Sequence, residues 1–274
     1  MATICLINQK GGCGKSSTCF HLAGCFVDLG LRVLLIDSDP QGSLSQAFFG
    51  SEYVENLDRT QTLSCLFQDD YFDPSRSLSA TPTAWAGLSI VCSNHTLAAH
   101  NRPSPETSGL LQFTMAQFLD AQHEYDVTLI DCPPNLYQCS WNALLAADCV
   151  VVPVPPEDFG AQGLRAVHQA ITNARQLNPR LHLLGHLVTR YDRRLLVHRS
   201  YEAKLRQQYG TAVLKTVVPE ASAFKVALAC RKPVLLHDPA SKAAKSMMDL
   251  AHEVLDRIGE NDMHGNCVQH GQYP

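Results

Sequence analysis

The sequence predicts an α/β fold: a single domain with a mostly parallel, twisted β-sheet flanked by helices on both faces. Short apolar runs alternate with stretches of helical periodicity, which is typical of βαβ units. These runs are apolar throughout, as expected for strands that helices cover on both faces. A chain of 274 residues with 45% hydrophobic content can also bury one large core. We expect the domain to span residues 1–258, with a loop-rich insert at 50–85 and a polar, disordered tail at 259–274.

The first predicted strand is followed by a glycine-rich loop at residues 9–17, with the sequence QKGGCGKSS. Closely spaced glycines let successive backbone N–H groups turn toward one point, which suits a phosphate group. Lys15 is then placed to reach the terminal phosphates of a nucleotide, and the Ser16 hydroxyl to hold Mg²⁺. The helical periodicity of residues 19–27, ended by Gly30, directs a helix N-terminus at the phosphates. Strand, loop and helix together predict a P-loop NTPase that binds ATP and Mg²⁺.

Aspartates follow two further predicted strands. The apolar run 33–36 leads into Asp37 and Asp39, and the run 127–130 leads into Asp131. Side chains at the carboxyl ends of parallel strands face the ligand crevice of an open α/β sheet. An aspartate near the P-loop serine is how P-loop proteins hold Mg²⁺. We therefore assign Asp131 to the metal, and we predict later strands at 150–152, 183–188 and 217–219.

The glycine-rich loop departs from the ordinary P-loop pattern. Gln9 stands where that pattern has its first glycine, and a second lysine, Lys10, precedes the glycine pair. The loop, with the segments DSDPQG at 37–42 and DCPP at 131–134, resembles the deviant Walker A ATPases of the ParA/MinD family. Within that family the chain is closest to the ParA (Soj-like) partition proteins. The resemblance extends over residues 2–258 and includes the segments VVVPVPPE at 150–157, RKPV at 231–234 and DPASKAA at 238–244.

This resemblance implies the roles of the site residues. Lys10 reaches across a dimer interface to the partner's nucleotide, Asp39 orients the attacking water, and Asp37 supports Mg²⁺ through water. The predicted catalytic residues are Lys10, Lys15 and Asp39, and the predicted metal residues are Ser16, Asp37 and Asp131. The predicted nucleotide-binding residues are Lys10, Gly11, Gly12, Cys13, Gly14, Lys15, Ser16, Ser17 and Pro219.

The resemblance also implies the partners. An ATP-dependent homodimer binds DNA without sequence preference, and a ParB-like or other cargo adaptor stimulates a slow basal hydrolysis. We expect a cytoplasmic protein that associates with the nucleoid in its ATP state. The sequence does not choose among a plasmid or chromosome centromere complex, a carboxysome and a chemotaxis cluster as the cargo.

Charge is distributed unevenly along the chain, which favours a polyanionic partner. Residues 1–150 hold 6 Lys and Arg against 15 Asp and Glu, whereas residues 151–274 hold 16 against 11. Within 185–245 there are twelve bases and four acids. Family members commonly have an arginine where Glu220 stands, so the DNA surface here departs from the pattern. The predicted DNA-binding residues are Arg190, Arg193, Arg194, Lys225, Arg231 and Lys232.

Other functions fit the sequence less well. A MinD-like membrane ATPase would carry a basic amphipathic helix at its C-terminus, whereas the tail here is polar and slightly acidic, so no membrane partner is expected. A biosynthetic ATPase of the same class would not need Lys10 together with the 37–42 segment. An iron–sulfur cluster, as in the related nitrogenase iron protein, would use Cys132 and Cys139, but no upstream cysteine has a matching context. The eleven cysteines contain no Cys-x-x-Cys pair, and we expect free thiols.

Overall fold

A computed structural model describes residues 1–67, 78–156 and 161–268, except for the side chains of 161–162 and 261–268. The described residues contain one sheet whose strand order is 3-4-2-5-1-6-7-8. Neighbouring strands pair in parallel, apart from the antiparallel third and fourth strands at one edge. The strands are β1 (Ala2–Leu6), β2 (Val33–Asp37), β3 (Thr81–Pro82), β4 (Leu88–Val91), β5 (Val127–Asp131), β6 (Cys149–Val154), β7 (His182–Tyr191) and β8 (Val213–Pro219).

Helices cover both faces of this sheet. The α-helices are α1 (Lys15–Asp28), α2 (Ser43–Phe49), α3 (Ser51–Glu55), α4 (Thr114–Asp120), α5 (Gln138–Ala146), α6 (Ala161–Ala174), α7 (Leu196–Tyr209), α8 (Ser222–Ala229), α9 (Val234–His237) and α10 (Lys242–Val268). One face packs against α1, α2, α8, α9 and α10, and the other packs against α4, α5, α6 and α7. None of the helices in the described ranges is long and apolar enough to span a membrane.

Strand β2 shows why the predicted runs are apolar throughout. Successive side chains of a strand point to opposite faces of its sheet. Leu34 and Ile36 therefore join the hydrophobic core on one face, while Val33 and Leu35 join the core on the other. All four are fully buried. This double burial confirms the predicted fold class.

The structure adds elements that the sequence analysis missed. The edge strands β3 and β4 were not predicted, because β3 has only two residues and β4 interrupts its apolar residues with a serine. The region predicted as a loop-rich insert also contains α3 and two 3₁₀ segments, Arg59–Gln61 and Leu63–Phe67. Residues 68–77 of that insert lie outside the described residues.

The C-terminal boundary also differs from the expectation. Helix α10 continues to Val268, whereas the sequence analysis predicts disorder from residue 259. The glycines, asparagines and aspartate of this stretch have low helix propensity, but extending an existing helix adds one hydrogen bond for each residue fixed. Residues 269–274 lie outside the described residues, so the predicted tail is not tested there.

Strand pairing brings the site segments together. Leu6 at the end of β1 pairs with Asp131 at the end of β5, and Asp37 at the end of β2 also pairs with Asp131. The glycine-rich loop and both aspartates therefore lie at the carboxyl-terminal ends of the parallel strands.

Candidate nucleotide-binding site

The glycine-rich loop has the backbone conformation that a phosphate cradle requires. Gly12 and Gly14 have φ angles of 70° and 92°, a left-handed region that glycine adopts without steric cost. Gly14 is the residue before α1, and no side chain caps the start of that helix. The first N–H groups of α1 therefore stay available for phosphate oxygens.

Lys15 lies inside the loop rather than on its surface. Its side chain is buried, and its ammonium donates to the carbonyl oxygens of Asn8 at 3.1 Å and Lys10 at 3.4 Å. Asn8 fixes this arrangement, since its amide donates to the carbonyl of Pro153 at 2.7 Å and its Oδ1 accepts from the backbone N–H of Lys10 at 3.1 Å. Asn8 was not predicted, because no local pattern distinguishes it from an ordinary loop residue.

Asp37 is a fully buried carboxylate with partners of its own. One oxygen accepts hydrogen bonds from the Ser45 backbone N–H at 2.8 Å and the Ser45 hydroxyl at 2.7 Å, and the other accepts from the Asp39 N–H at 3.2 Å. Burial raises the pKa of Asp37 to about 7, although the bonds from Ser45 oppose it. Ser45 was not predicted, because it lies eight residues away on α2 and only the fold brings it here.

Asp39 occupies the more open side of the same segment. It is half-buried and lines the pocket above the loop. Its backbone carbonyl accepts from the Ser93 hydroxyl at 2.8 Å, and its Oδ1 accepts from the Gln41 N–H at 3.0 Å. The segment is also tied to β5, since the Ser38 hydroxyl donates to the Asp131 carbonyl at 2.8 Å. These bonds hold the Asp39 backbone in place beside the pocket.

Asp131 is suited to be a ligand of magnesium, because its carboxylate oxygens have no other hydrogen-bond partner in the part of the chain that the structure describes. Both of these oxygens are buried. Burial, and then the neighbouring Asp37 carboxylate, raise the pKa of Asp131 well above its ordinary value; Ser16 and Lys15 oppose this shift without outweighing it. A bound cation offsets the cost of burying such a charge. Asp131 and Ser16 would hold Mg²⁺, with Asp37 behind them.

The pocket above the loop has a volume of about 480 Å³ and two different walls. We call the loop and Asp39, with the buried Asp37 and Asp131 behind them, the phosphate wall. The ends of β7 and β8 together with α8 form the opposite wall, which contributes Thr189, Val218, Pro219 and Phe224. The Thr189 hydroxyl donates to the Cys13 carbonyl at 2.7 Å, which fastens the two walls together.

The predicted nucleotide-binding residues largely converge on this pocket. The pocket-lining residues include Gly11, Gly12, Cys13, Gly14, Lys15, Ser16, Ser17, Asp39 and Pro219. Lys10 is not among them, and its half-exposed side chain belongs to the rim of the loop.

The six predicted DNA-binding residues do not form one group. Arg190 and Lys225 line the opposite wall of the nucleotide pocket, where both pair with Glu220. Arg193 and Arg194 are exposed between β7 and α7, and Arg194 also pairs with Asp192 at 2.7 Å. Arg231 and Lys232 are exposed between α8 and α9. Charge along the chain indicated a basic region but not where each of its residues lies in the fold.

Comparison with known proteins identifies the family. Residues 1–183 match a family model described as an AAA domain. The chromosome-partitioning ATPase Soj of Thermus thermophilus is 35% identical over 260 residues, which cover 94% of this chain and 96% of that protein. The chain belongs to the ParA/Soj family of P-loop ATPases. The family member ParA of Caulobacter vibrioides, a chromosome partitioning protein, is 32% identical over 261 residues that cover 94% and 95% of the two chains.

A solved structure bears on the ligands of this ATPase. Cobyrinic acid a,c-diamide synthase from Mycobacterium smegmatis, crystallised with bound ADP and magnesium, is 26% identical, with a TM-score of 0.75. The likeness covers 93% of this chain and 94% of that one. It confirms the fold class, and it is consistent with ATP and Mg²⁺ as the cofactors of this site.

Proposed function

We propose that this protein is a ParA-type ATPase that dimerises on ATP, binds DNA without sequence preference, and positions or segregates a cargo. The observation that carries the proposal is the different placement of the two loop lysines. Lys15 is buried inside the phosphate loop, whereas Lys10 is half-exposed and outside the set of pocket-lining residues. A second lysine that is half-exposed and does not line its own pocket suits a role at the nucleotide of another subunit.

The chain's residues then divide the reaction among themselves. Lys15 and the N–H groups of the loop hold the phosphates, and Asp39 orients the water that attacks. Asp131 and Ser16 would hold Mg²⁺, which would supply positive charge to the phosphate oxygens. Lys10 completes the site only when two subunits meet, which gives the slow basal rate we expect, because catalytic charge that is not yet positioned stabilises no transition state.

DNA binding is supported by the charge of residues 185–245 and by two exposed arginines. Arg193 and Arg194 follow the carboxyl-terminal end of β7. They therefore lie at the same end of the parallel strands as the phosphate loop. Contacts with phosphates release counterions, so binding should weaken steeply with salt and should not depend on base sequence. The proposal also includes two further partners: an adaptor protein that stimulates hydrolysis, and the cargo to which that adaptor is bound.

The test is the binding of ATP-loaded protein to two unrelated duplexes of equal length, measured by fluorescence anisotropy over a series of salt concentrations. Wild-type protein should bind both equally. Replacing Arg193 and Arg194 by glutamine should reduce the salt slope by up to about 2 per subunit if both contact phosphates.

The matched control is Arg32→Gln with Arg180→Gln. These two arginines precede β2 and β7, at the amino-terminal ends of the parallel strands. The control should bind DNA like wild type. Wild-type protein that binds no DNA with ATP, even at low salt, would reject the DNA-binding part of the proposal and leave the ATPase assignment intact.

A further inference from the structure

Glu220 lies between two cations at the opposite wall of the nucleotide pocket. One carboxylate oxygen accepts from Arg190 Nε at 3.2 Å, and the other lies 3.2 Å from the ammonium of Lys225. All three residues line the pocket. Arg190 is the penultimate residue of β7, while Glu220 and Lys225 come thirty or more residues later, beyond the end of β8 and in α8.

Arg190 is also attached to the phosphate loop. Its guanidinium Nη1 donates to the carbonyl oxygen of Gly12 at 3.2 Å. Its φ angle is 53°, in the left-handed region, which is strained for a non-glycine residue and persists where surrounding contacts fix it. The preceding residue, Thr189, binds the carbonyl of Cys13. The end of β7 is thus fastened to two successive carbonyls of the loop, and this places a permanent positive charge beside the glycines that cradle phosphate.

The pair between Arg190 and Glu220 is suited to exchange. Their side chains are 44% and 37% exposed, and an ion pair this open to solvent contributes little to stability. Burial acts to raise the pKa of Glu220, but hydrogen bonds from Arg190 and then Lys225 outweigh it and leave the pKa below its ordinary value. The carboxylate is therefore charged at neutral pH. A phosphate group carries more charge and accepts two parallel hydrogen bonds from a guanidinium, so it competes well for Arg190.

We propose that Arg190 is a phosphate-binding residue of the nucleotide site, and that Glu220 competes for it and so sets how tightly the protein binds nucleotide. When the guanidinium turns to a phosphate oxygen, Glu220 keeps Lys225 as a partner, so no unpaired carboxylate is left behind. The proposal rests on the nucleotide site of the proposed function, but it is independent of DNA binding. It takes Arg190 and Lys225 out of the predicted DNA surface.

The first test is the Kd of ADP·Mg²⁺ and of the non-hydrolysable analogue AMPPNP·Mg²⁺, measured by titration calorimetry. Arg190→Gln should raise both Kd values about 10-fold or more, as expected for loss of a hydrogen bond to a charged group. The matched control is Arg32→Gln, because Arg32 is likewise an exposed arginine that pairs with a carboxylate, that of Asp126 at 2.7 Å. The control should bind both nucleotides like wild type.

The second test separates competition for Arg190 from simple repulsion of phosphate. Glu220→Gln should lower the Kd of both nucleotides several-fold. In protein that already carries Arg190→Gln, the same change should have little effect, because the residue for which Glu220 competes is gone. Thermal unfolding without nucleotide checks that each variant is folded.

Two results would overturn this proposal alone. One is Arg190→Gln protein that binds both nucleotides as tightly as wild type. The other is Glu220→Gln that tightens binding equally with and without Arg190, which would show general repulsion. Wild-type protein that binds neither nucleotide would instead overturn the site assignment, and this proposal with it.

Discussion

The two walls of the nucleotide pocket are built in different ways. The phosphate wall comes from a short loop and from strand-end aspartates, and Lys15, Asp37 and Asp131 are all buried in it. The opposite wall joins residues from β7 and α8 through ion pairs that are largely exposed, with Glu220 at their centre. Burial and backbone geometry fix the first wall, whereas exchangeable side-chain pairs tune the second. We therefore expect substitutions in the phosphate wall to abolish nucleotide binding or hydrolysis. Substitutions in the opposite wall should change only how tightly nucleotide binds.

The largest expected effect is in the phosphate wall. Lys15→Ala should weaken ATP binding by about 100-fold or more, because it removes the buried ammonium of the loop, and Lys10 does not line the pocket to replace it. Equilibrium titration with ATP·Mg²⁺ measures this. Lys204→Ala, which removes an exposed lysine on α7, is the control and should bind normally. Wild-type affinity in the Lys15 variant would contradict the assignment of the loop.

This contrast also explains what the sequence could predict. The phosphate wall was readable because each motif is local: one loop holds Gly12, Gly14 and Lys15, and each aspartate directly follows an apolar strand. The opposite wall was not readable, because Arg190 and Glu220 meet only after β7 and β8 pair. Arg190 and Lys225 were predicted to bind DNA, and Glu220 was recognised only as a departure from the family pattern.

The residues that support the phosphate wall could not be predicted from the sequence either. Ser45 binds Asp37, and Ser93 binds both the Ser45 hydroxyl and the Asp39 carbonyl, although Ser93 lies some fifty residues beyond Asp39. The parallel pairing of β2 with β4 brings Ser93 there, and β4 itself was not predicted. Hydrogen bonds between distant segments leave no pattern in a single sequence.

The second effect separates the two loop lysines. Lys10→Ala should leave ATP affinity within a few-fold of wild type, because Lys10 does not line its own pocket. Hydrolysis in the presence of DNA and the stimulating partner should fall about 100-fold, the usual cost of losing one charge-stabilising donor. Phosphate release measures the rate. Normal stimulated turnover would show that Lys10 has no role across the interface.

The smallest effect concerns the helix behind the phosphate wall. His21 of α1 is buried, its Nδ1 accepts from the Val234 N–H at 3.0 Å, and burial lowers its pKa to about 3. Above pH 6.5 the imidazole is neutral whether the chain is folded or unfolded. As the pH falls toward 3, the unfolded chain takes up a proton that the folded protein resists. His21 should therefore cost about 2 kcal/mol of unfolding free energy by pH 5.

Urea unfolding between pH 8 and pH 5 measures this loss. His21→Asn keeps an acceptor for the Val234 N–H and should show a shallower decline with pH. His237→Asn, at an exposed position, should decline like wild type. Equal slopes in all three proteins would contradict the buried, neutral state of His21.

The central claim is that ATP binding closes a dimer. Hydrolysis, for which Asp39 orients the attacking water, then opens it. Asp39→Ala with ATP·Mg²⁺ tests it most directly, by sizing chromatography with light scattering. Lys15→Ala combined with Asp39→Ala is the control and should remain monomeric, because it cannot hold ATP. The account predicts that Asp39→Ala alone retains ATP and elutes with twice the 30.1 kDa mass of the chain. A monomer that carries bound ATP would contradict it.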